Sequence, residues 1–364
     1  MTRQAIPDRR GGRWGERCVA PLLALLLSPA AHAGGGSVMA EASAGGEQRT
    51  WTLLGDVELR RDTTFLTLGY AGARPGPGEA VTHQLSAGVD QGLNAHWLLS
   101  GLLNVGVPKT STTALVPARP ALGLPALDMR SGFHGLGVQL AASYDSAGFS
   151  DVEYGVDLGL GLTRYGLRRE LATRSREGDG EILSQARETL LLARPSLGGR
   201  LLLHDVWELG LRGSYALYSD DPLEAGTFSP AEFQRVLRRY ADSAEGGTAV
   251  RRFLRRRGKA LGVDLTGRLQ AVNALTGFPS APVLFELKPS VTYRFGTRVR
   301  GQLSYAFTRY VPGQGYAHVL GTRWTWRLAR PLRLWAAAAL QSDHLAGEPS
   351  ARSGLVTLGS EYTF

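Results

Sequence analysis

The chain has 364 residues, a formal net charge of +9, 47 glycines and a single cysteine. No run of about eighteen apolar residues occurs, which excludes ordinary transmembrane helices. The histidines show no metal-ligand spacing and no Gly-x-Ser-x-Gly elbow is present. We therefore expect no cofactor, no bound metal and no enzymatic activity, since catalysis would need a Ser/His or Asp/His pair assembled only in space.

Residues 1–33 have the three-part order of an export signal. Five arginines precede an apolar run over 19–27, and small residues follow it. The apolar run is too short to span a bilayer, so we predict cleavage after Ala33. Residues 34–50 are small, polar and aperiodic, and are predicted to be a flexible leader before a single domain at 51–364. An exported chain with surplus positive charge and no nucleic-acid motif favours contact with phosphate-bearing lipids, not nucleic acid.

From residue 51 onward the chain repeats segments that alternate apolar and polar residues, as strands with two different faces do. The predicted strands of the first part cover 51–60, 66–70, 81–89, 97–105, 136–144, 152–162, 189–203 and 207–217. Residues 108–129 are rich in proline and residues 164–186 are charged, and both are predicted to be loops.

Residues 219–258 break the alternation and predict a helical insert. Ser229 and Glu232 form a capping box with proline at the first helical position. Six basic side chains follow within the insert or next to it: Arg251, Arg252, Arg255, Arg256, Arg257 and Lys259. They are predicted either to lie against anionic lipid headgroups or to form a solvated loop helix.

Alternation resumes over 261–269, 283–295, 299–307, 320–328, 332–340 and 351–364. With residues 51–60 and 66–70 counted separately, about fourteen strands result, and twelve or sixteen are the alternatives. In lipid every backbone polar group needs a partner, which closure of a sheet supplies. The sequence therefore predicts an all-β fold, a closed antiparallel transmembrane β-barrel with a helical loop insert.

The last strand ends on Phe364, with Tyr362 and Leu358 on the same face. It resembles the C-terminal assembly signal of bacterial outer-membrane β-barrels, although Ser360 stands where another apolar residue is usual. The resemblance implies the cell outer membrane of a Gram-negative envelope as the location. It also implies outer-membrane lipids and the barrel-assembly machinery as partners, the latter through Phe364 and Tyr362.

The sidedness of the connections raises a conflict. Counting back from a periplasmic Phe364 places the short turn at 296–297 in the periplasm, as expected. The same count places the long connections that begin near residues 108, 164 and 219 there too, whereas long connections normally face outside. Merging 51–70 into one long strand and adding a hidden strand within 219–258 is the favoured repair, because it keeps the count at fourteen.

Charged residues on the predicted interior faces divide along the chain. The acids are Asp56, Glu58, Asp90, Glu153, Asp157, Glu208 and Asp264, and the bases are Arg268, Lys288, Arg294, Arg298, Arg300, Arg323, Arg327 and Arg333. In a closed barrel this places an acidic wall opposite a basic one, which resembles the transverse field of diffusion porins. Two alternatives remain: arginines beside turns could lie at the rim near lipid phosphates, or acids and bases could pair into a network that fills the lumen.

These features predict a porin-like outer-membrane channel for passive diffusion of small polar solutes or ions. The alternative is a non-conducting barrel that anchors or scaffolds an envelope machine for secretion, polysaccharide export or surface motility. That second function implies other envelope proteins as partners.

Overall fold

The computed structural model describes residues 34–45, 48–61, 63–74, 82–107, 109–116, 118, 125–146, 152–175, 178–222, 235–236, 282–347 and 349–363. Sixteen strands occur in this part of the chain. Their bounds are β1 Gly34–Gly45, β2 Gln48–Arg61, β3 Thr64–Arg74, β4 Thr82–Gly92, β5 Trp97–Gly106, β6 Lys109–Val116, β7 Ala126–Asp145, β8 Val152–Ser175, β9 Gly178–Leu203, β10 Trp207–Tyr215, β11 Leu217–Tyr218, β12 Val283–Phe295, β13 Val299–Tyr310, β14 Gly315–Arg327, β15 Leu332–Leu345 and β16 Ala351–Thr363.

Fourteen of these strands form a closed antiparallel barrel. Each strand pairs with its neighbour in sequence, except that β6 and β11 stand outside the ring. β16 pairs with β1, which closes the ring. β6 pairs with β7 beyond the end of β5, and the two-residue β11 continues the pairing of β10 with β9. The prediction of a closed antiparallel barrel of about fourteen strands is confirmed.

Two predictions near the N-terminal end of the barrel are wrong. Residues 34–45 are strand β1, hydrogen-bonded between β16 and β2, and not a flexible leader. Their small side chains carry little contrast between apolar and polar, so backbone pairing and not alternation decides their structure. Residues 51–70 belong to two antiparallel strands, β2 and β3, and not to one long strand.

The sidedness conflict is resolved between β10 and β12. These two strands pair directly along Trp207–Tyr215, so neither the predicted strand at 261–269 nor a hidden strand from 219–258 lies between them. Both segments fall outside the described residues, apart from residues 219–222 and a helical pair, Arg235 and Val236. Compared with the predicted strands, the barrel gains β1 and loses the segment at 261–269. This change moves the long connections to the end of the barrel opposite the short turn at 296–297. Every connection at one end of the barrel, the turn end, then has six residues or fewer, and the long 219–282 connection lies at the opposite end, the loop end.

Residues 164–175, 178–186, 109–116 and 126–129 are strand and not loop. β7, β8 and β9 extend beyond the ring at the loop end, where β7 and most of β8 are buried on both faces and apolar and charged residues are mixed. Alternation therefore disappears from the sequence although the backbone ladder continues. Burial in this extension lowers the pKa of Arg169 to about 10, and the charge of Glu188 opposes that shift.

The exterior of the barrel is apolar and exposed. Leu158, Leu340 and Leu358 keep 53%, 67% and 60% of their surface accessible. Their alternate neighbours on the same strands face the interior and are small or polar. Such an exterior is the surface that bilayer hydrocarbon covers, because exposing it to water would be unfavourable.

Aromatic side chains mark two margins of the apolar exterior. At the turn end the margin comprises Trp97, Tyr144, Tyr154, Trp207, Tyr293, Phe295, Trp324, Trp326 and Tyr362, and at the loop end Tyr70, Tyr305, Phe307 and Tyr316. On β14, Tyr316 and Trp326 lie about 33 Å apart along the strand, or roughly 25 Å along the barrel axis at the usual tilt. This separation matches the hydrocarbon band of an outer-membrane barrel.

Arginine at Ala338 should destabilise the barrel far more than arginine at Ala337. Ala338 faces outward between Thr322 and Val356, near the middle of the apolar band, whereas Ala337 faces inward. A lipid-facing arginine at mid-depth costs about 2–4 kcal/mol. At Ala337 the only expected penalty is repulsion from Arg323 on the next strand, about 1 kcal/mol at most. Urea unfolding of the barrel in phosphocholine vesicles measures both values, and equal losses would contradict the assignment of the two faces.

Candidate functional site: the lumen

The lumen is wide and is lined by alternate residues of fourteen strands. Strand spacing and tilt give a backbone diameter of roughly 28 Å. A recess of about 290 Å³ in its wall is lined in part by Asp56, Gln84, Ser86 and Asn104. Long side chains therefore line this lumen without being able to bridge it.

The acidic part of the wall lies on β2 and β4. Asp56, Glu58 and Asp90 face inward there, next to strands whose interior residues include Gly69 and Ser86. The hydroxyl of Ser37 donates a hydrogen bond to Asp56. In the described part of the chain no ion pair involves these three carboxylates, which leaves their charge directed toward the lumen.

The basic part of the wall lies on β10 and β12–β15. Its inward-facing members are Arg212, Lys288, Arg294, Arg300, Arg323, Arg327 and Arg333. Three pairs among them occupy directly opposed cross-strand positions: Arg212 with Lys288, Arg294 with Arg300, and Arg327 with Arg333. Directly opposed like charges destabilise a sheet. Three such pairs on one wall lower the stability of the sheet, and packing alone does not explain why they are there.

The acidic and basic parts stand opposite each other. β3 and β12 are seven strands apart in both directions around the ring of fourteen. The acids of β2 and β4 therefore face the bases of β10, β12 and β13 across the lumen. The sequence places acids and bases early and late in the chain, and only ring closure makes these groups opposite.

Ion pairs in the lumen form along the wall. Arg294 pairs with Glu208 at 3.3 Å and Arg333 with Glu361 at 3.4 Å, each on a neighbouring strand. Glu286 accepts contacts from Lys288 and from an arginine of β9, both at 2.9 Å. At a diameter of roughly 28 Å, an arginine on one wall cannot reach a carboxylate on the other. Net charge on each side thus remains partly uncompensated.

Two lumen arginines were missed by the sequence prediction. Arg194 and Arg200 on β9 face inward, where Arg194 contacts Glu286 and Arg200 pairs with Asp145. Arg200 lies opposite Gly155, between the predicted acids Glu153 and Asp157 of β8. The sequence does contain the alternating pattern of a strand here, because arginine, serine and glycine occupy every second position of β9 from Arg194 to Arg200. Pro195 on the exterior face obscured it.

Arginines beside the turns face the lumen and not the lipid. Arg300 and Arg327 alternate with Val299 and Trp326, which lie on the exterior. This orientation argues against the rim alternative for these two arginines. Arg298 belongs to the exposed turn that joins β12 to β13.

The aromatic ring of Trp335 packs against the inside of the wall. Trp335 faces inward on β15, keeps 3% of its surface accessible and lies against Gly359 of β16. The guanidinium carbon of Arg323 is 4.9 Å from the ring centroid. The indole nitrogen is buried without a hydrogen-bond partner in the described structure. This stack holds Arg323 close to the wall.

The remaining predicted site residues lie outside the described part of the chain: Asp264, Arg268, Arg251, Arg252, Arg255, Arg256, Arg257, Lys259 and Phe364. Tyr362 is described, and it faces outward at the turn end between Val38 and Leu332. Recognition of Tyr362 and Phe364 by the assembly machinery stays a prediction. The described residues contain no group of three or more His, Cys, Asp or Glu placed to hold a metal ion. None of the described helical residues forms a helix long and apolar enough to cross a membrane.

A closed wall that is apolar outside between two aromatic margins and charged inside defines a membrane-spanning β-barrel. No protein-family model matches this sequence, and no curated protein sequence is significantly similar to it. Among solved structures it is similar to the CymD monoaromatic hydrocarbon channel, with 10% identity, a TM-score of 0.49, and 91% of this chain and 88% of the other covered. It is also similar to a Pseudomonas aeruginosa FadL homologue, with 9% identity, a TM-score of 0.44, and 90% and 88% covered. A third similar structure is the KdgM porin in complex with oligogalacturonate, with 9% identity, a TM-score of 0.36, and 90% and 99% covered.

Proposed function

We propose that this protein is an outer-membrane channel through which small polar solutes or ions diffuse passively. The observation that carries the proposal is the opposition of Asp56, Glu58 and Asp90 to the basic residues of β10, β12 and β13 across the lumen. Separated charges of opposite sign produce a field across the lumen. The field orders water, and a polar solute replaces that water at a smaller cost than an apolar solute does.

The chain's other features support an outer-membrane location. The predicted export signal, the C-terminal strand and the apolar exterior agree with assembly into that membrane from the periplasm. In this orientation the turn end faces the periplasm and the loop end faces outside. The barrel-assembly machinery and outer-membrane lipids are then its immediate partners.

The mature chain, refolded and added to a planar bilayer, should produce discrete steps of current in potassium chloride. A polar lumen roughly 28 Å across between backbones leaves room for hydrated ions beside its side chains. The matched control is the same preparation after boiling, which should give no steps. A heat-modifiable band on a gel confirms that the added protein is a folded barrel.

Repeated insertion without current would reject the channel. Insertion is scored independently of current by the recovery of folded, vesicle-bound protein. A folded barrel that inserts and never conducts would favour the second function, a scaffold or anchor for an envelope machine.

A further inference from the structure

We propose that the exterior of β13–β16 at the loop end binds the phosphate group of an anionic lipid. The inference rests on the membrane location in the proposed function, but not on conduction through the lumen. The site lies at the upper margin of the apolar band, where a lipid headgroup meets the protein surface.

Two adjacent rows of residues form the proposed site, which we call the headgroup patch. The first row comprises Arg309, Tyr316, His344 and Ser350, the last directly before β16, and the second crosses the four strands as Phe307, His318, Ser342 and Arg352. All of these positions are on the exterior face. Four strands span about 14 Å, which matches the footprint of a lipid headgroup more closely than that of a protein partner.

Hydrogen bonds hold the imidazoles of the patch in place. His344 lies 2.9 Å from the Ser350 hydroxyl through Nδ1 and 3.2 Å from the Ser342 hydroxyl through Nε2, and its ring stacks 4.7 Å from that of Tyr316. His318 is held through Nδ1 by the Tyr305 hydroxyl at 2.6 Å. This leaves Nε2 of His318 as the ring nitrogen for a ligand.

The charge of the patch is complementary to phosphate. Within strands β12–β16, all charged residues other than Arg309 and Arg352 face the lumen, including every Asp and Glu. Both arginines are exposed, and neither has an ion pair in the described structure. Two unpaired guanidinium groups on a face without carboxylates attract an anion, and the planar guanidinium suits phosphate in particular.

The surface below the patch fits acyl chains. Leu303, Leu320, Leu340 and Val356 lie toward the middle of the barrel on the same four strands, and each exposes about half or more of its surface. A soluble anion would gain nothing from these side chains. A phosphate continuous with acyl chains contacts both surfaces, and the turn-end margin of the same strands has aromatic residues but no outward-facing charge.

Native mass spectrometry of the refolded mature chain in detergent, titrated with dioleoyl phosphatidic acid or dioleoyl phosphatidylcholine, tests the proposal. The wild type should bind phosphatidic acid about tenfold more tightly than phosphatidylcholine, and the double variant Arg309→Gln/Arg352→Gln should lose most of that preference. The double variant Arg309→Lys/Arg352→Lys retains the positive charges but not the planar guanidinium groups, and it should lose less of the preference for phosphatidic acid. It also serves if the glutamine variant does not fold.

The matched control removes the same charge from the lumen, as Arg300→Gln/Arg327→Gln. This variant should retain the preference for phosphatidic acid, and an equal loss in both double variants would overturn the site. Excess inorganic phosphate should not displace the lipid, and displacement would overturn the assignment to a lipid headgroup. A barrel that shows the preference but no current would keep this inference and reject the proposed channel.

Discussion

Replacing Gly359 with valine should destabilise the barrel by about 3 kcal/mol, the upper end of the usual cost of overpacking. A Cβ atom at this position would overlap the indole ring of Trp335. The ring is almost completely buried and would have to leave its place, and its stack with Arg323 would be lost with it. The midpoint of urea unfolding in phosphocholine vesicles measures the change.

Gly354 supplies the matched control on the same strand. It faces outward, and the nearest side-chain atom to an added Cβ is 3.8 Å away, in ordinary contact with Leu340. Gly354→Val should therefore change stability by less than about 0.5 kcal/mol. The double variant Gly359→Ala/Trp335→Leu should recover part of the loss, because it removes the ring that the new methyl group meets. Equal stability of Gly359→Val and Gly354→Val would show that the lumen does not need this glycine.

The selectivity of the channel should move in opposite directions when opposite walls are neutralised. Arg300 and Arg327 are exposed to the lumen without ion pairs in the described structure, so Arg300→Gln/Arg327→Gln should favour cations. Two charges about 10 Å from a passing ion contribute about 0.8 kcal/mol in water, with opposite sign for a cation and an anion. After screening at about 10 mM salt, the cation-to-anion permeability ratio should therefore change by roughly five- to tenfold. The reversal potential under a gradient of potassium chloride measures it.

The matched variant on the acidic wall is Asp56→Asn/Asp90→Asn. It should shift the reversal potential toward anions by a similar amount, since both carboxylates face the lumen without an ion pair in the described residues. Both shifts should collapse at about 1 M salt, where screening acts over about 3 Å. Shifts of the same sign in the two double variants would contradict the opposed walls.

The sequence predicted the barrel best where lipid and water impose different residues on the two faces. Residues 152–162 alternate without error because Leu158 and its neighbours face hydrocarbon and Asp157 faces the lumen. Prediction failed where that contrast is absent. β1 is made mostly of small residues, and in the loop-end extension β7 and most of β8 are buried on both faces.

The candidate site was predictable in composition but not in arrangement. Alternation alone assigns Asp56, Lys288 and Arg294 to an inward face, and the structure places them there. It cannot say which charges are neighbours, because pairing across strands depends on register. The pair between Arg294 and Glu208 joins residues 86 positions apart in the sequence, and the stack of Arg323 on Trp335 depends on the register between β14 and β15.

By itself, therefore, the sequence determined that this chain forms an antiparallel barrel of about fourteen strands. Apolar and polar residues alternate along each strand because one face of the strand meets lipid and the other meets water. Only the tertiary structure decided that β1 closes the ring against β16 and that β10 pairs directly with β12. Those two pairings determine which strands face each other across the lumen. They place the acids of β2 and β4 opposite the bases of β10, β12 and β13. The registers between β13, β14, β15 and β16 bring Arg309 and Arg352 onto one outward-facing patch. The physical reason is that ring closure and register depend on backbone hydrogen bonds between distant segments, which side-chain periodicity along one segment does not encode.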